Sequence, residues 1–266
     1  GDAGNIKWQF LPLENLSQIE IIKGASSVLY GSAALNGVIN FRTADAGSTP
    51  LTKFHFETGF YGNPRNSDWI WWKTPQMFTS TSVSHLQKTG RTDIGLSASM
   101  VVDEGYRRLN EENLGRMSLK LKHFSEAVRG LSYGASVHSG LTVKRDFVLW
   151  ENAETGALRQ QESAIQLHGK FLAADPFISL RRSENWKHDL RMRFQVSLNR
   201  FPKSEMTNSD AYSVYTEYQL WHRISRNIDL TAGLSENYNL VNSNMYLDHR
   251  GWNLAGYSQL EVRPVK

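Results

Sequence analysis

Apolar and polar residues alternate strictly along several segments after residue 50. Between Thr92 and Val102, an apolar side chain occupies every second position, and Asp, Gly or Ser stands between most of them. The same period of two recurs over 114–124 and 188–199. Because successive side chains of a strand point to opposite faces, each segment predicts a β-strand with one apolar and one polar face. A helix would mix the two kinds of residue.

Weaker alternation predicts further strands, so that about ten strands of roughly ten residues follow one another, the length that a tilted strand needs to cross a bilayer. These weaker segments are 53–61, 77–87, 131–141, 163–173, 212–222, 228–238 and 252–262. Short polar connections (88–91, 125–130, 182–187, 223–227) alternate with long ones (62–76, 103–113, 142–162, 201–211, 239–251). This asymmetry is typical of an outer-membrane barrel with short periplasmic turns and long extracellular loops.

A soluble antiparallel sandwich is the alternative, because its strands also alternate between an apolar and a polar face. The loop asymmetry favours the barrel. Charged pairs on the polar face suit a wet interior, as with Lys120 and Lys122 or Arg191 and Arg193. Aromatic residues near strand ends would form interfacial girdles; they are Trp8, Tyr61, Trp69, Tyr133, Trp150, Trp186, Tyr212, Trp221 and Trp252.

The composition is compatible with both folds and argues against several functions and kinds of site. Hydrophobic residues make up 40% of the 266 residues, and the mean hydropathy of −0.46 also fits a barrel, in which only alternate residues face lipid. A net charge of +4 without a basic run predicts no nucleic-acid binding. The absence of cysteine excludes disulfides and thiolate metal sites. No signal peptide or apolar membrane helix is recognisable, so we expect a soluble protein, a barrel or a fragment.

Residues 1–48 have a different texture, rich in Gly, Ala and Ser, with two short apolar runs. They predict a strand, a turn, a helix-like stretch over 26–35 and a second strand. Residues 19–41 read IEIIKGASSVLYGSAALNGVINF. This stretch resembles the C-terminal part of the plug domain of TonB-dependent outer-membrane receptors, where IE, two apolar residues, K/R-G, L-Y-G and G-V/I-I-N follow in that order before the barrel.

The resemblance implies an all-β fold: a partial transmembrane antiparallel β-barrel, about ten strands of an expected 22, preceded by the C-terminal remnant of an α+β plug domain. Residues 1–48 would be the plug part and residues 49–266 the first ten or so barrel strands. The motif residues would be structural, with Glu20 and Lys23 paired to each other or to the barrel wall. They are Glu20, Lys23, Gly24, Tyr30, Gly31, Gly37 and Asn40.

The resemblance also implies a function and a location. A receptor of this family in the outer membrane of a Gram-negative bacterium takes up a scarce nutrient, such as an iron chelate, a cobalamin-like cofactor or an oligosaccharide. Its partners would be membrane lipid, that ligand, the TonB complex through an N-terminal region that this chain lacks, and in some cases a surface lipoprotein. No cofactor and no enzymatic activity are expected. The alternative is a passive barrel or a surface binding or adhesion protein.

Candidate ligand contacts lie in two predicted long loops. Trp69, Trp71 and Trp72 could stack on an aromatic, haem-like or sugar ligand, or anchor the loop at the lipid interface. Arg107 and Arg108 could meet an anionic ligand; they end a stretch from Asp103 that resembles the family's D-x-G-Y-R where the third barrel strand meets an outer loop. The eight histidines lack metal-site spacing, and no catalytic motif occurs.

Overall fold

The computed structural model describes residues 13–23, 37–147, 152, 154 and 164–263. Within them, twelve β-strands account for nearly all regular structure, with short 3₁₀ turns between some of them. The strands are β1 (Leu16–Lys23), β2 (Gly37–Thr43), β3 (Leu51–Phe60), β4 (Met77–Thr89), β5 (Thr92–Asp103), β6 (Glu112–Phe124), β7 (Leu131–Phe147), β8 (Ala164–Ser183), β9 (Trp186–Arg200), β10 (Ser209–Ser225), β11 (Ile228–Ser243) and β12 (His249–Val262). None of the described residues forms a helix long and apolar enough to cross a membrane.

Strands β3 to β12 form one antiparallel sheet in which every strand pairs with its neighbours in sequence. This meander confirms the ten strands that the alternation predicts, and it confirms the alternation of short and long connections. Strands β4 and β5 are separated by two residues, whereas β3 and β4 are separated by sixteen. All long connections therefore leave the sheet at the same end, called here the long-loop end.

Several strands are longer than their alternation predicts. Strand β8 has 20 residues and continues through Pro176. Pro176 pairs with Ala135 of β7, but the register with β9 skips from Ala174 to Phe177. Proline has no N–H to donate, so the ladder is interrupted on one side only and the strand still continues. Strand β8 therefore continues past the alternating segment at 163–173 and ends at Ser183, within the short connection predicted at 182–187.

The two faces of the ten-stranded sheet differ sharply in polarity. One face, the inner face, carries Arg116, Lys120 and Lys122 of β6, which contact residues 14 and 43–45 of the preceding segment. The opposite outer face carries the exposed side chains Met117 and Leu119 of the same strand. Cross-strand registers extend this division over the whole sheet, because directly paired residues share a face.

Burial in this protein is the reverse of that in a soluble sandwich. Among the described residues, only four hydrophobic side chains are buried, namely Trp72, Leu86, Leu114 and Ala173. Large hydrophobic residues of the outer face are exposed, as with Phe54 at 72% and Leu254 at 67%. Such an exposed apolar surface is unfavourable in water, and a soluble sandwich avoids it by packing its apolar faces against each other. The sandwich alternative is therefore disfavoured.

The aromatic residues predicted for girdles divide between the faces. Tyr133, Trp186, Tyr212 and Trp252 occupy outer-face positions and are partly exposed. Trp221 pairs with Lys187 and so lies on the inner face, which contradicts its place in a girdle. The inner-face position of Tyr61, described below, contradicts it in the same way. Trp8 and Trp150 lie outside the described residues, as does the helix-like stretch predicted over 26–35.

Candidate functional site

The contact between the segment before β3 and the inner face centres on an ion pair with little exposure. A nitrogen of the Arg116 guanidinium lies 2.7 Å from a carboxylate oxygen of Glu14, and the two side chains are only 13% and 7% exposed. Ser99 of β5 is paired directly with Arg116, and its hydroxyl accepts a hydrogen bond from the Arg116 Nε at 3.0 Å. The strand register therefore places the guanidinium on the inner face, where the carboxylate of Glu14 neutralises its charge.

A second contact joins the linker between β2 and β3 to the same strand. The ammonium of Lys120 donates to Asp45 at 2.7 Å and to the backbone carbonyl of Ala44 at 3.0 Å, and Lys122 donates to the other carboxylate oxygen of Asp45 at 2.9 Å. Partial burial alone would raise the pKa of Asp45, but the hydrogen bonds and charges of the two lysines outweigh it and hold that pKa below its usual value.

Asn15 connects these two contacts. Its side-chain amide donates to the backbone carbonyl of Leu96 at 3.3 Å, and its own carbonyl accepts from the N–H of Ala44 at 2.7 Å. Residues just before β1 and just after β2 are thereby held together against the inner face. We call Glu14, Asn15, Asp45 and their β5–β6 partners the anchor.

The motif residues that the structure describes lie in the β1–β2 hairpin. Glu20 forms its ion pair with Arg42, at 3.1 Å, and accepts from Asn40 at 2.9 Å. The hairpin register places Lys23 opposite Gly37. Glu20 thus bonds within the hairpin, and the predicted pairing of Glu20 with Lys23 or with the barrel wall is wrong. Gly24, Tyr30 and Gly31 lie outside the described residues.

Gly37 has a backbone reason to be glycine. Its φ is +137°, a conformation that L side chains rarely adopt, and a Cβ built there would meet the carbonyl oxygen of Ile22 at 2.5 Å. A side chain would therefore clash with the paired strand at the start of β2. The structural role that the resemblance implies for this position has a direct physical cause.

Aromatic side chains gather at the long-loop end around Tyr106, in the loop after β5. Tyr61 and Trp72 both approach its ring, with centroids 5.8 Å away. Trp71 packs edge-on against Trp72 at 5.7 Å and donates its indole N–H to the carbonyl of Tyr106 at 3.1 Å. Phe78 lies 5.6 Å from Tyr61. We call Tyr61, Trp71, Trp72, Phe78 and Tyr106 the aromatic cluster.

The polar end of the aromatic cluster is fixed by Asp103. The phenol hydroxyl of Tyr61 donates to the Asp103 carboxylate, at 2.9 to 3.0 Å from its two oxygens. The N–H of Gly105 donates to the same carboxylate at 2.8 Å, with Gly105 at φ +80°. Partial burial, together with this acidic partner, raises the pKa of Tyr61 to about 12. Asp103 pairs with Phe78 and belongs to the inner face, so the cluster lies on that face where the loops begin.

The predicted ligand contacts occupy different places around the cluster. Trp72 is buried within it, and Trp71 is half-buried. Trp69 reaches the neighbouring long loop, where its indole N–H donates to the carbonyl of Glu154 at 2.9 Å. Arg107 and Arg108 follow Tyr106 directly and each has an interaction partner of its own. The structure thus brings two of the tryptophans together with the arginine-bearing loop.

Several residues of these sites escape a reading of the sequence. Glu14 and Asp45 are isolated acids in a Gly- and Ser-rich region, and Tyr106 is one aromatic residue in a polar loop. One available signal was the polar face of β6, where Arg116, Lys120 and Lys122 leave three cations that require a partner. In the part of the chain that the structure describes, no group of His, Asp and Glu residues is arranged to hold a metal ion.

Comparison with protein families matches residues 1–38 to the TonB-dependent Receptor Plug Domain. A hemin receptor from Yersinia enterocolitica is 27% identical over 132 residues, which cover 49% of this chain and 19% of that protein. The vitamin B12 transporter BtuB from Vibrio vulnificus is 32% identical over 91 residues, covering 34% and 14% of the two chains. The matching segments thus span less than a fifth of these relatives.

Solved structures share the fold over nearly the whole chain. The siderophore receptor PirA from Pseudomonas aeruginosa superimposes with a TM-score of 0.71 at 13% identity, covering 99% of this chain and 44% of PirA. The unliganded ferric citrate transporter FecA gives a TM-score of 0.70 at 12% identity, covering 92% and 36%. The plug-domain match, the relatives and the shared fold together support the interpretation of the chain as a TonB-dependent receptor fragment.

Proposed function

We propose that the parent protein lies in the outer membrane of a Gram-negative bacterium and takes up a scarce nutrient with energy from the TonB complex. The anchor carries this proposal, because two carboxylates near the plug hairpin meet three cations on a wall strand. A passive barrel or an adhesin needs no such ion pairs to hold a plug. The plug-family match over residues 1–38 supports the same interpretation.

The apolar outer face would contact lipid, and the polar inner face would surround the plug and the nutrient path. The short turns then face the periplasm and the long loops face the outside. This orientation puts the aromatic cluster at the external mouth of the path. A surface lipoprotein that covers the long loops remains a candidate partner.

We propose that the nutrient first binds at the aromatic cluster and the tryptophans and arginines beside it. The half-buried rings of Trp69 and Trp71 offer apolar faces to a conjugated or sugar ring, and Arg107 and Arg108 suit anionic groups. Trp72, which is buried, would support them from behind. Iron chelates, cobalamin-like cofactors and oligosaccharides are the classes to test, and the named relatives, a hemin receptor and a vitamin B12 transporter, give priority to macrocycles.

Growth of a strain that carries the full-length receptor tests the proposal. Hemin, a ferric siderophore and cobalamin are supplied singly at limiting concentration, with and without a functional TonB complex. Growth on one of them should require both the receptor and TonB. Uptake that persists undiminished without TonB would establish a passive barrel instead.

The ligand site is tested by binding to the purified receptor. Trp69→Ala should weaken binding of the active nutrient about 30-fold, as truncation of a central aromatic contact does. Trp186→Ala is the matched control, because Trp186 lies on the outer face at the short-turn end and should leave affinity unchanged. Equal affinities for both variants would move the ligand site away from Trp69.

A further inference from the structure

The outer face contains a groove of about 790 Å³ that crosses several strands. Its floor is made by the small residues Ala98, Gly115 and Ser139, and its sides by larger ones such as Met117 and Leu141. A Cβ built on Gly115 would meet nothing within 4 Å, so the depression is open space. The large apolar side chains of its lining suit a hydrocarbon chain rather than a polar ligand.

Two charged residues, Arg116 and Lys170, are among those that line this groove. The Arg116 guanidinium lies on the inner face with Glu14, so Lys170 of β8 is the charged side chain on the outer face of the groove. It pairs with Leu141 on one side and Leu198 on the other, and its side chain is exposed. In the described part of the chain, Lys170 has no carboxylate within ion-pair distance. Two other outer-face cations differ: Arg145 pairs with Glu111 and Arg200 pairs with Asp210.

The position of Lys170 along β8 matches the level of a headgroup. It is the seventh of the 20 residues of the strand, counted from the long-loop end. At about 2.5 Å of height per tilted residue, the rest of the strand is taller than an apolar band of about 25 Å. The ammonium therefore lies near the external edge of that band, where a lysine can extend its charge to the interface.

We propose that the groove holds an acyl chain of an anionic lipid whose phosphate contacts the Lys170 ammonium. The apolar outer-face side chains of the groove suit the acyl chain of such a lipid, and the exposed ammonium of Lys170 suits its phosphate. The proposal rests on the outer-membrane location proposed above, but it does not depend on the identity of the nutrient.

Native mass spectrometry of the full-length receptor in detergent tests this site. The receptor is titrated with phosphatidylglycerol, which is anionic, or with phosphatidylcholine of the same acyl chains, which is zwitterionic. Lys170→Ala should reduce retention of phosphatidylglycerol about fivefold and leave phosphatidylcholine unchanged. The control is Lys53→Ala, an exposed lysine of the inner face, which should change neither.

A second variant separates the groove from the charge. Gly115→Leu fills the open space while adding an apolar side chain to an apolar face, so the barrel should still form and retention of both lipids should fall. Equal phosphatidylglycerol retention by Lys170→Ala and Lys53→Ala would overturn the proposal, as would unchanged retention in Gly115→Leu. Because no nutrient is present, failure of the uptake proposal alone would leave this result intact, whereas a receptor that is monodisperse without detergent would remove both.

Discussion

The inner and outer faces of the ten-stranded sheet are built from the same strands yet obey different rules. Inner-face residues such as Ser84, Asp93 and Ser197 are at most 5% exposed although they are polar. Outer-face residues such as Phe54 and Leu234 are more than 60% exposed although they are apolar. Each strand therefore carries two interleaved sets of residues, a polar set on the inner face and an apolar set on the outer face, which is the pattern expected of a barrel that faces lipid.

The difference also concerns specificity. Several inner-face side chains have defined partners, as Arg116 has in Glu14 and Lys122 has in Asp45. The outer face needs only to be apolar, apart from its few charged positions. Substitutions on the inner face should therefore depend on the partner that is lost, whereas substitutions on the outer face should depend on polarity alone. The four predictions below test this contrast in the full-length receptor.

The largest effect is expected at Glu14. Glu14→Ala removes one partner of a pair with little exposure and leaves the Arg116 guanidinium uncompensated, which costs about 3–5 kcal/mol when such a charge is buried. The amides of β1 should exchange faster with deuterium by the corresponding factor. Glu20→Ala is the control, because its partner Arg42 is 58% exposed and the pair contributes little. Equal exchange in the two variants would mean that the anchor does not hold the plug.

The next effect compares two adjacent residues of β11. Leu234 is exposed on the outer face, whereas Ser235 lies on the inner face opposite Glu217. Leu234→Arg should lower the free energy of unfolding in lipid vesicles by about 2–4 kcal/mol, because a cation in the apolar band is poorly solvated. Ser235→Arg meets a carboxylate and should change that free energy by less than about 1 kcal/mol. A larger loss of unfolding free energy for Ser235→Arg than for Leu234→Arg would mean that the inner and outer faces are assigned the wrong way round.

The alternation of the sequence was sufficient to predict these faces and the ten strands. In β5, Ile94, Leu96 and Ala98 repeat at a period that only a strand puts on one face. The ends of strands were less predictable for two reasons. Inner-face positions tolerate polar residues, and backbone pairing between strands continues into segments that were predicted as long loops. Strand β7 extends to Phe147, five residues past the start of the loop predicted at residue 142, since backbone pairing there does not require alternation.

The candidate site was less predictable than the fold. The Trp-rich loop was recognisable from composition, but its neighbour Tyr106 comes from a separate loop about 35 residues later. Likewise, Glu14 and Arg116 are separated by 102 positions. Their encounter depends on how the plug end lies on the sheet, which no local pattern encodes. A polar strand face with three cations indicates that a partner exists without identifying it.

Tyr61 provides a smaller test at the mouth of the inner face. Tyr61→Phe loses the hydrogen bond to Asp103 and should lower stability by about 1.5 kcal/mol at neutral pH. Since the folded pKa of about 12 exceeds the ordinary value of 10.0, the contribution of this phenol is complete below pH 10 and is lost as the pH rises toward 12. Absorbance at 295 nm should show one tyrosine fewer titrating near pH 12 in Tyr61→Phe. An unchanged titration at that pH would exclude the Asp103 contact.

Asp45 should give the smallest effect, although it has two cationic partners. Its side chain is 51% exposed, so water and salt screen the contact, and Asp45→Asn should cost less than about 1 kcal/mol at pH 7. The folded pKa lies below the usual 3.8, so the contribution is present above that value and disappears as the pH falls through the folded pKa. Hydrogen exchange of the Ala44 amide, which bonds to Asn15, reports the change directly. The exchange rates of wild type and Asp45→Asn should differ at pH 7 and converge in acid or in high salt, whereas the effect of Glu14→Ala should persist in salt because that pair is nearly enclosed. Similar salt sensitivity of the two variants would show that water reaches the Glu14–Arg116 contact as readily as it reaches the Asp45 contact.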